Sequence, residues 1–276
     1  MKRIATVLTV FMLYGTAAFA QEFSPQEPHL VFSISAGMSA GKDLWTLLNH
    51  PQPVVGGTLA NQDTMDLGRV LRTGIVAGLA ASYFTSPRFG WTAEVTYFGF
   101  ASEQRCSGPA TYQPEADQIN QQACDRAQGL HVATSIVGFL GGATYRFFPD
   151  SRVEPFVRAV AGVGLLGNSY VQTSGVVHST QCQTVDDFCQ LTLVKEDVED
   201  QFTFITALSA GFSFALSPAY KVRFEGRDVI TSLPVVTGNG TSSDPAVVPT
   251  GRAIKHLPVF TIGLDIVLER RHTRRY

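Results

Sequence analysis

The sequence predicts an all-β fold: an eight-stranded antiparallel up-and-down transmembrane β-barrel with short periplasmic turns and long extracellular loops. Three short Pro-containing turns, at 86–90, 148–152 and 217–220, each separate two stretches in which apolar and polar residues alternate. The segments that join one hairpin to the next are long and polar. Short turns at one end and long loops at the other are typical of a barrel that crosses a membrane with strands.

The start of the chain has the features of a secretory signal peptide. Lys2 and Arg3 precede an apolar stretch, and Ala18 and Ala20 form a small-residue cleavage site. No later run approaches the roughly 20 consecutive apolar residues that a spanning helix needs, so strands would have to cross the membrane. We therefore expect four segments. They are a signal peptide at 1–20, a short periplasmic segment at 21–28, the barrel at 29–268 and a basic tail at 269–276.

The charge balance bears on one class of partner, nucleic acid. Export would remove Lys2 and Arg3 from the 21 basic residues, against 23 acidic ones. A net negative chain without a basic cluster in its predicted strands gives no reason to expect nucleic acid as a partner.

Four segments in the first half of the chain alternate with a period of two. They cover about 29–38, 71–85, 91–97 and 130–147, and each has one apolar face opposite polar residues and glycine. In order, the apolar faces are Leu30, Phe32, Ile34, Ala36 and Met38; Leu71, Ile75, Ala77, Leu79, Ala81 and Tyr83; Trp91, Ala93, Val95 and Tyr97; and Val137, Phe139, Ala143, Tyr145 and Phe147.

The second half repeats this pattern in four further segments, at about 153–166, 202–216, 221–230 and 257–268. Their apolar faces, in order, are Val153, Val157, Ala159, Ala161, Val163 and Leu165; Phe202, Phe204, Leu208, Phe212 and Phe214; Val222, Phe224 and Ile230; and Phe260, Ile262, Leu264, Ile266 and Leu268. An even number of strands places both ends of the barrel beside the short turns.

Alternation alone also fits a soluble, lipocalin-like barrel with its apolar face inside. Two observations favour the membrane. Aromatic residues gather beside the short turns, as an interfacial girdle would: Tyr83, Trp91, Tyr145, Phe147, Phe214 and Phe224. The opposite face combines small residues with charges of both signs, which could pair inside a narrow lumen.

These inward charges are the clearest candidate site. They are Arg72, Glu94, Arg146, Glu154, Arg158, Lys221, Arg223, Glu225, Arg227 and Asp265. We expect them to form an ion-pair plug, because a buried charge without a partner is strongly destabilising. The alternative is a narrow ion-conducting path lined by the same groups.

Three predicted hairpins, at 83–100, 145–164 and 212–230, resemble those of small bacterial outer-membrane β-barrel proteins of the OmpA- and OmpW-like kind. The segments 154–157 and 223–228 are especially typical of that family. The resemblance implies the outer membrane of a Gram-negative-type bacterium, insertion by the barrel-assembly machinery, and contact with outer-membrane lipids and lipopolysaccharide. Members commonly end on an aromatic residue directly after the last strand, whereas here a basic tail intervenes.

The four cysteines, Cys106, Cys124, Cys182 and Cys189, lie in two of the long loops and in none of the predicted strands. In an oxidising compartment we expect disulfides 106–124 and 182–189, although four cysteines allow three connectivities. Metal binding is the weaker interpretation, because neither pair has CxxC spacing and His178 is the only nearby histidine. No cofactor is expected.

Two loop segments carry further expectations. Residues 43–50 could form a helical turn with Trp45 and Leu48 at the rim, and the Gly- and Pro-rich segment 231–255 should be mobile. His131 and Ser135 share a face at the end of the fourth strand, but four residues along a strand span about 13 Å, so they cannot pair directly.

These patterns favour a non-enzymatic structural or surface-interaction protein whose specificity resides in extracellular loops that could bind a ligand. No catalytic residue is assigned. The alternatives are a narrow channel for small or hydrophobic solutes, a lipid-modifying outer-membrane enzyme, and a secreted lipocalin-like ligand-binding barrel.

Overall fold

The computed structural model describes residues 29–53, 62–110, 119–149, 151–168, 170–178, 188–196, 201–240 and 244–268. The predicted signal peptide, the segment 21–28 and the basic tail lie outside these residues. No helix in the described ranges is long and apolar enough to cross a membrane.

Thirteen strands and one helix make up the described part of the chain. In order they are β1 (His29–Ser39), β2 (Lys42–Pro53), β3 (Gln62–Leu71), β4 (Gly74–Phe84), β5 (Phe89–Ala110), α1 (Ile119–Ala127), β6 (His131–Arg146), β7 (Val153–Gly167), β8 (Thr173–His178), β9 (Phe188–Glu196), β10 (Phe202–Ala215), β11 (Tyr220–Val236), β12 (Val247–Val248) and β13 (Thr250–Leu268).

Eight of these strands close into an antiparallel ring in the order β1-β4-β5-β6-β7-β10-β11-β13. Closure is made by β1 and β13, which pair from Leu30 with Leu268 to Ser39 with Val259. The predicted eight-stranded up-and-down barrel is therefore confirmed. The three short turns lie at one end of the ring, called here the short-turn end, and the opposite end is the loop end.

The outer surface of the ring is apolar. Ile34, Ile75, Phe204 and Ile262 expose 55%, 66%, 60% and 49% of their surface, and each faces away from the lumen. A continuous apolar band of this kind is stable against lipid and not against water. The barrel is thus of the transmembrane type, with its polar face inside, and not the inverted lipocalin-like type.

Two layers of different chemistry fill the lumen. The charged layer, at the short-turn end, consists of Glu94, Arg146, Glu154, Arg158, Lys221, Arg223, Glu225, Arg227 and Asp265, all buried. The apolar layer, toward the loop end, consists of Val76, Phe98, Ile136, Leu140, Val160, Ile205, Val229, Leu233, Leu257 and Val259. Gly164 leaves room in the apolar layer, since a Cβ there would lie 2.6 Å from Ile205 Cδ1.

Five strands and the helix lie beyond the ring at the loop end, and we call them the loop cap. β2 and β3 form a hairpin that continues onto β5, while β8, β9 and β12 form a separate three-stranded sheet. The segment 43–50 is therefore part of a strand, and the predicted helical turn is wrong. Its inward residues, Leu44, Trp45 and Leu47, are buried beside Met65 and Leu67 of β3.

The segment 231–255 also differs from expectation. β11 and β13 pair without interruption from Tyr220 with Ile266 to Val236 with Thr250. The connection between them shrinks to residues 237–249, within which β12 pairs with β9. Leu233 and Val235 are buried in this extension, and their burial holds the strands together beyond the membrane-spanning part.

Candidate functional site

Glu225 is the centre of the charged layer. Its carboxylate lies 3.5 Å from Arg158 Nη1, 3.3 Å from Arg223 Nε and 3.1 Å from Arg227 Nη2. Three of these four residues alternate along β11, so the period-two pattern alone places Arg223, Glu225 and Arg227 on one face. Only 1% of Glu225 is exposed.

Glu94 of β5 makes the second carboxylate node, on the opposite side of the lumen. Arg227 donates to both of its oxygens, Thr96 donates to Oε1, and Arg158 Nη1 lies 3.6 Å from Oε2. Arg158 and Arg227 thus bridge Glu94 to Glu225. Such a network is stable only while every carboxylate keeps a cation.

The remaining charges lie closer to the short-turn end. Lys221 Nζ donates to Glu154 Oε1 at 2.5 Å, and Arg223 Nη1 lies 3.1 Å from Asp265 Oδ1. Arg146 stacks over the Phe84 ring at 3.5 Å and reaches Glu154 Oε2 only at 3.9 Å.

Arg72, which the sequence also placed in the lumen, lies elsewhere. It falls in the break between β3 and β4, where its side chain is 52% exposed and pairs with Glu103 at the rim of the barrel. The inward assignment is corrected, because the apolar alternation of 71–85 spans two strands. Leu71 ends β3 and faces the cap, whereas the barrel strand begins at Gly74.

Hydroxyl groups complete the charged layer, and the sequence interpretation did not single them out. Ser82, Thr92 and Thr144 bond in series across three strands, each step 2.9 Å, and Arg158 Nε donates to Thr144 at 3.0 Å. The sequence did contain a signal for these hydroxyls. Each has the same parity along its strand (β4, β5 or β6) as the other inward-facing residues of that strand.

The six aromatic residues of the predicted girdle lie together near the short-turn end. Tyr83 pairs across the strands with Trp91, and both are exposed on the outer face, at 48% and 59%. Tyr145 and Phe147 contact each other edge to face at 5.3 Å. Phe224 stacks on Phe212 at 5.1 Å, and Arg152 lies over Phe214.

The loop cap is held together by polar contacts between different loops. Trp45 Nε1 of β2 donates to the Tyr170 carbonyl at 3.1 Å, and the Tyr170 hydroxyl donates to the Ser135 carbonyl at 3.0 Å. Asn120 of α1 donates to Asp63 of β3 at 2.9 Å. Burial raises the pKa of Tyr170, so its hydroxyl remains a donor.

Arg69 is the largest buried polar side chain of the cap, with 1% of its surface exposed. It donates to Ser102 Oγ at 2.5 Å and to the Gln172 carbonyl at 2.7 Å, which joins the first loop to the third. Burial lowers its pKa to about 10. The inward row Met65, Leu67, Arg69 in β3 was a period-two signal that the sequence interpretation overlooked.

Cys106 and Cys124 form a disulfide that fastens α1 to β5. Cys106 lies within β5 and Cys189 within β9, so the expectation that no cysteine lies in a strand is wrong. The strands simply extend further into the loops than the membrane pattern requires. Cys182 lies outside the described residues, so the 182–189 pairing stays a prediction.

His131 and Ser135 do not meet. His131 Nε2 lies 3.7 Å from Glu103 Oε2 at the rim. A different imidazole–carboxylate pair, absent from the sequence analysis, lies on the outer face, where His256 Nδ1 is 2.8 Å from Asp228 Oδ2. Within the described ranges, no three His, Cys, Asp or Glu side chains are grouped so as to hold a metal ion.

No protein-family model and no curated protein sequence matches the chain. Among solved structures it is similar to Neisserial surface protein A, with 11% identity over 86% of this chain and 96% of that chain and a TM-score of 0.38. It is also similar to the outer membrane protein OprG from Pseudomonas aeruginosa, with 10% identity over 90% and 99% and a TM-score of 0.48. Ail, the attachment invasion locus protein of Yersinia pestis, has 11% identity over 88% and 100% and a TM-score of 0.39.

These likenesses agree with the resemblance that the sequence suggested, to small bacterial outer-membrane barrels. At identities of 10–11% they concern the fold alone, and no activity passes from those proteins to this chain. The fold assignment itself rests on the closed ring of eight strands and on its apolar exterior: the chain is an eight-stranded transmembrane β-barrel with a folded cap over one end.

Proposed function

We propose that this chain is an outer-membrane protein of a Gram-negative-type bacterium, closed at rest, which acts without catalysis through the surface of its loop cap. The observation that carries the proposal is the seal at the loop end. The core of the cap continues into the apolar layer, since Leu44, Leu67 and Leu233 are all buried in one cluster. A barrel built to pass solutes would keep that end open.

The charged layer supports the same conclusion from the other end. Glu94, Glu154, Glu225 and Asp265 each have a cationic neighbour within 4 Å, and an eight-stranded lumen has room for little beyond side chains. We interpret the layer as an ion-pair plug that stabilises the barrel. The aromatic residues near the short turns would then lie at the periplasmic membrane surface.

The partners follow from this orientation. Outer-membrane lipids and lipopolysaccharide would contact the apolar exterior, and the barrel-assembly machinery would insert the chain after removal of its signal peptide. Any extracellular ligand would meet the exposed side of the cap, where Lys42, Leu48, Asp125 and Arg126 lie. This surface mixes charge signs and apolar groups, which is compatible with a structural or adhesive role.

Two measurements test this proposal together. Purified protein in planar bilayers should give no steady conductance, and a deletion strain should become more sensitive to detergent with EDTA, or lose attachment to surfaces, until wild-type protein is restored. Steady single-channel steps from the wild-type protein would contradict a closed barrel. A deletion strain unchanged in both envelope integrity and attachment would contradict the surface role.

A lipid-modifying enzyme is the second candidate, and one observation favours it. The His256–Asp228 pair lies on the outer face toward the loop end, with side chains 58% and 45% exposed, where an acid–base group could meet a membrane lipid. Ser232 lies on the same outer row of β11 and is two residues from Ile230, the cross-strand partner of His256. Mass spectrometry of lipid A should be identical in strains carrying the wild type and His256→Gln if the barrel is not an enzyme.

A further inference from the structure

A small cavity opens among the side chains of the charged layer, near the short-turn end. Three guanidinium groups line it, those of Arg146, Arg158 and Arg223, together with one carboxylate, that of Asp265. The arginine side chains are 8%, 4% and 3% exposed, so water screens them weakly.

Donors outnumber acceptors around this cavity. Arg158 uses Nε and Nη1 on Thr144, Glu94 and Glu225, and Arg223 uses Nη1 on Asp265 and Ser33. Within the described part of the chain, Arg223 Nε is buried without a hydrogen-bond acceptor, although Glu225 Oε2 lies 3.3 Å away. Hydroxyls of Ser33, Ser82, Thr144 and Ser213 complete the lining and can donate in turn.

The charge count of the layer points the same way. Five buried cations, Arg146, Arg158, Lys221, Arg223 and Arg227, face four buried carboxylates, Glu94, Glu154, Glu225 and Asp265. Arg146 is the cation with the weakest compensation, because its nearest carboxylate is 3.9 Å away and is already bonded to Lys221 at 2.5 Å. A buried charge in excess needs a counter-charge or costs stability.

We propose that this cavity binds one small monovalent anion, of the size and charge of chloride, taken from the solvent at the short-turn end. The cavity has room for about one water-sized particle, which excludes phosphate and organic anions. Asp265 does not prevent binding, because its Oδ1 lies 3.1 Å from Arg223 Nη1, which offsets its charge, and its Oδ2 accepts from Ser213 Oγ at 3.4 Å. The anion neutralises the excess cation and accepts hydrogen bonds from the guanidinium N–H groups that line the cavity.

Urea unfolding in an uncharged detergent tests the proposal. Sodium chloride is exchanged for sodium gluconate at constant ionic strength, because gluconate is too large for the cavity. Above the Kd for chloride, each tenfold rise in chloride should lower the unfolding equilibrium constant about tenfold, since only the folded barrel has the site. Equal stability in the two salts would overturn the proposal.

Matched variants separate the site from a general salt effect. Arg146→Gln balances the layer at four cations and four carboxylates and should abolish the response to chloride. Arg88→Gln removes the same charge from an exposed position in a short turn and should leave the response intact. A chloride response that survives in Arg146→Gln would count against the cavity.

Diffraction from wild-type crystals soaked in sodium bromide gives an independent answer that does not depend on any variant folding. An anomalous peak should lie in this cavity, within about 3.5 Å of guanidinium nitrogens of Arg158 and Arg223. Water alone at this position would show that the cavity is an ordinary hydration site.

Discussion

The charged layer and the apolar layer fill the same barrel, and the same strands supply both, yet they are stabilised in different ways. β11 contributes Arg223 and Glu225 to the first and Val229 and Leu233 to the second. In the charged layer each side chain depends on a named partner, so removing one leaves another buried without compensation. In the apolar layer the stabilisation is spread over many contacts and declines gradually with the volume removed.

The two layers also contribute differently to the structure of the barrel. Ion pairs fix which strands meet at a given height, because a shifted register would place a charge against an apolar neighbour. The apolar side chains do not specify the register in this way. Their layer is continuous with the core of the loop cap. The barrel therefore has a register-specific end and an end whose packing extends into the loop cap.

Glu225→Gln should have the largest effect, because it leaves three arginines with one carboxylate fewer at the centre of the charged layer. We expect a loss of about 3–5 kcal/mol in the free energy of unfolding, measured by urea titration in detergent. Glu103→Gln breaks the Arg72–Glu103 pair at the rim, where Arg72 is 52% exposed, and should cost less than about 1 kcal/mol. Equal costs at the two sites would remove the distinction between a buried network and a rim pair.

Leu233→Ala tests the apolar layer at a side chain that is fully buried. We expect a loss of about 2–5 kcal/mol, from lost burial and from the cavity left behind. The matched control is Ile254→Ala on the neighbouring strand β13, which is 71% exposed on the outer face and should change stability by about 0.5 kcal/mol. If Ile254→Ala lowers the free energy of unfolding as much as Leu233→Ala does, the outward-facing and inward-facing residues contribute equally. The apolar layer would then have no special role in stability.

Trp45→Phe removes one hydrogen bond between two loops of the cap while keeping an aromatic ring. The lost Nε1 donor leaves the Tyr170 carbonyl without this partner and should cost about 1 kcal/mol. Limited proteolysis should show faster cleavage of the third loop with an unchanged barrel. Leu48→Ala, on the same strand and 62% exposed, should leave the cleavage rate unaltered.

His50 gives the cap a dependence of its stability on pH. His50 is completely buried, and burial lowers its pKa from 6.5, so the folded cap prefers the neutral ring while the unfolded cap takes up a proton below pH 6.5. Stability is therefore constant above pH 6.5 and falls as the pH drops, by up to about 1.4 kcal/mol per unit until the folded pKa is reached. Hydrogen exchange of β2 at pH 7.5 and 5.5 measures the loss.

Two histidine variants check this assignment. His50→Gln should remove the pH dependence, whereas His131→Gln, at an exposed site, should keep it. A pH dependence that is unchanged in His50→Gln would place the titrating group elsewhere in the cap.

Binary patterning determined the ring of eight strands and the direction of its two faces. Each barrel strand spans the apolar band once, and side chains of period two must then alternate between lipid and lumen. Glu94, Arg158 and Glu225 could be placed inside from parity alone. Arg72 could not, because nothing in the alternation of 71–85 marks the break at which β3 ends and β4 begins.

The loop cap was decided by the tertiary structure. Residues 43–50, 231–236 and 250–255 carry weak local signals and become strands because neighbouring segments bury Trp45 and Leu233. The ion-pair partners within the charged layer could not be predicted from the sequence either. Parity shows that Arg158 and Glu225 face inward. Only the closure of the ring brings β7 and β11 close enough for these two side chains to pair. Local pattern sets the face of a strand, whereas contacts across the lumen and between loops depend on the three-dimensional path of the whole chain.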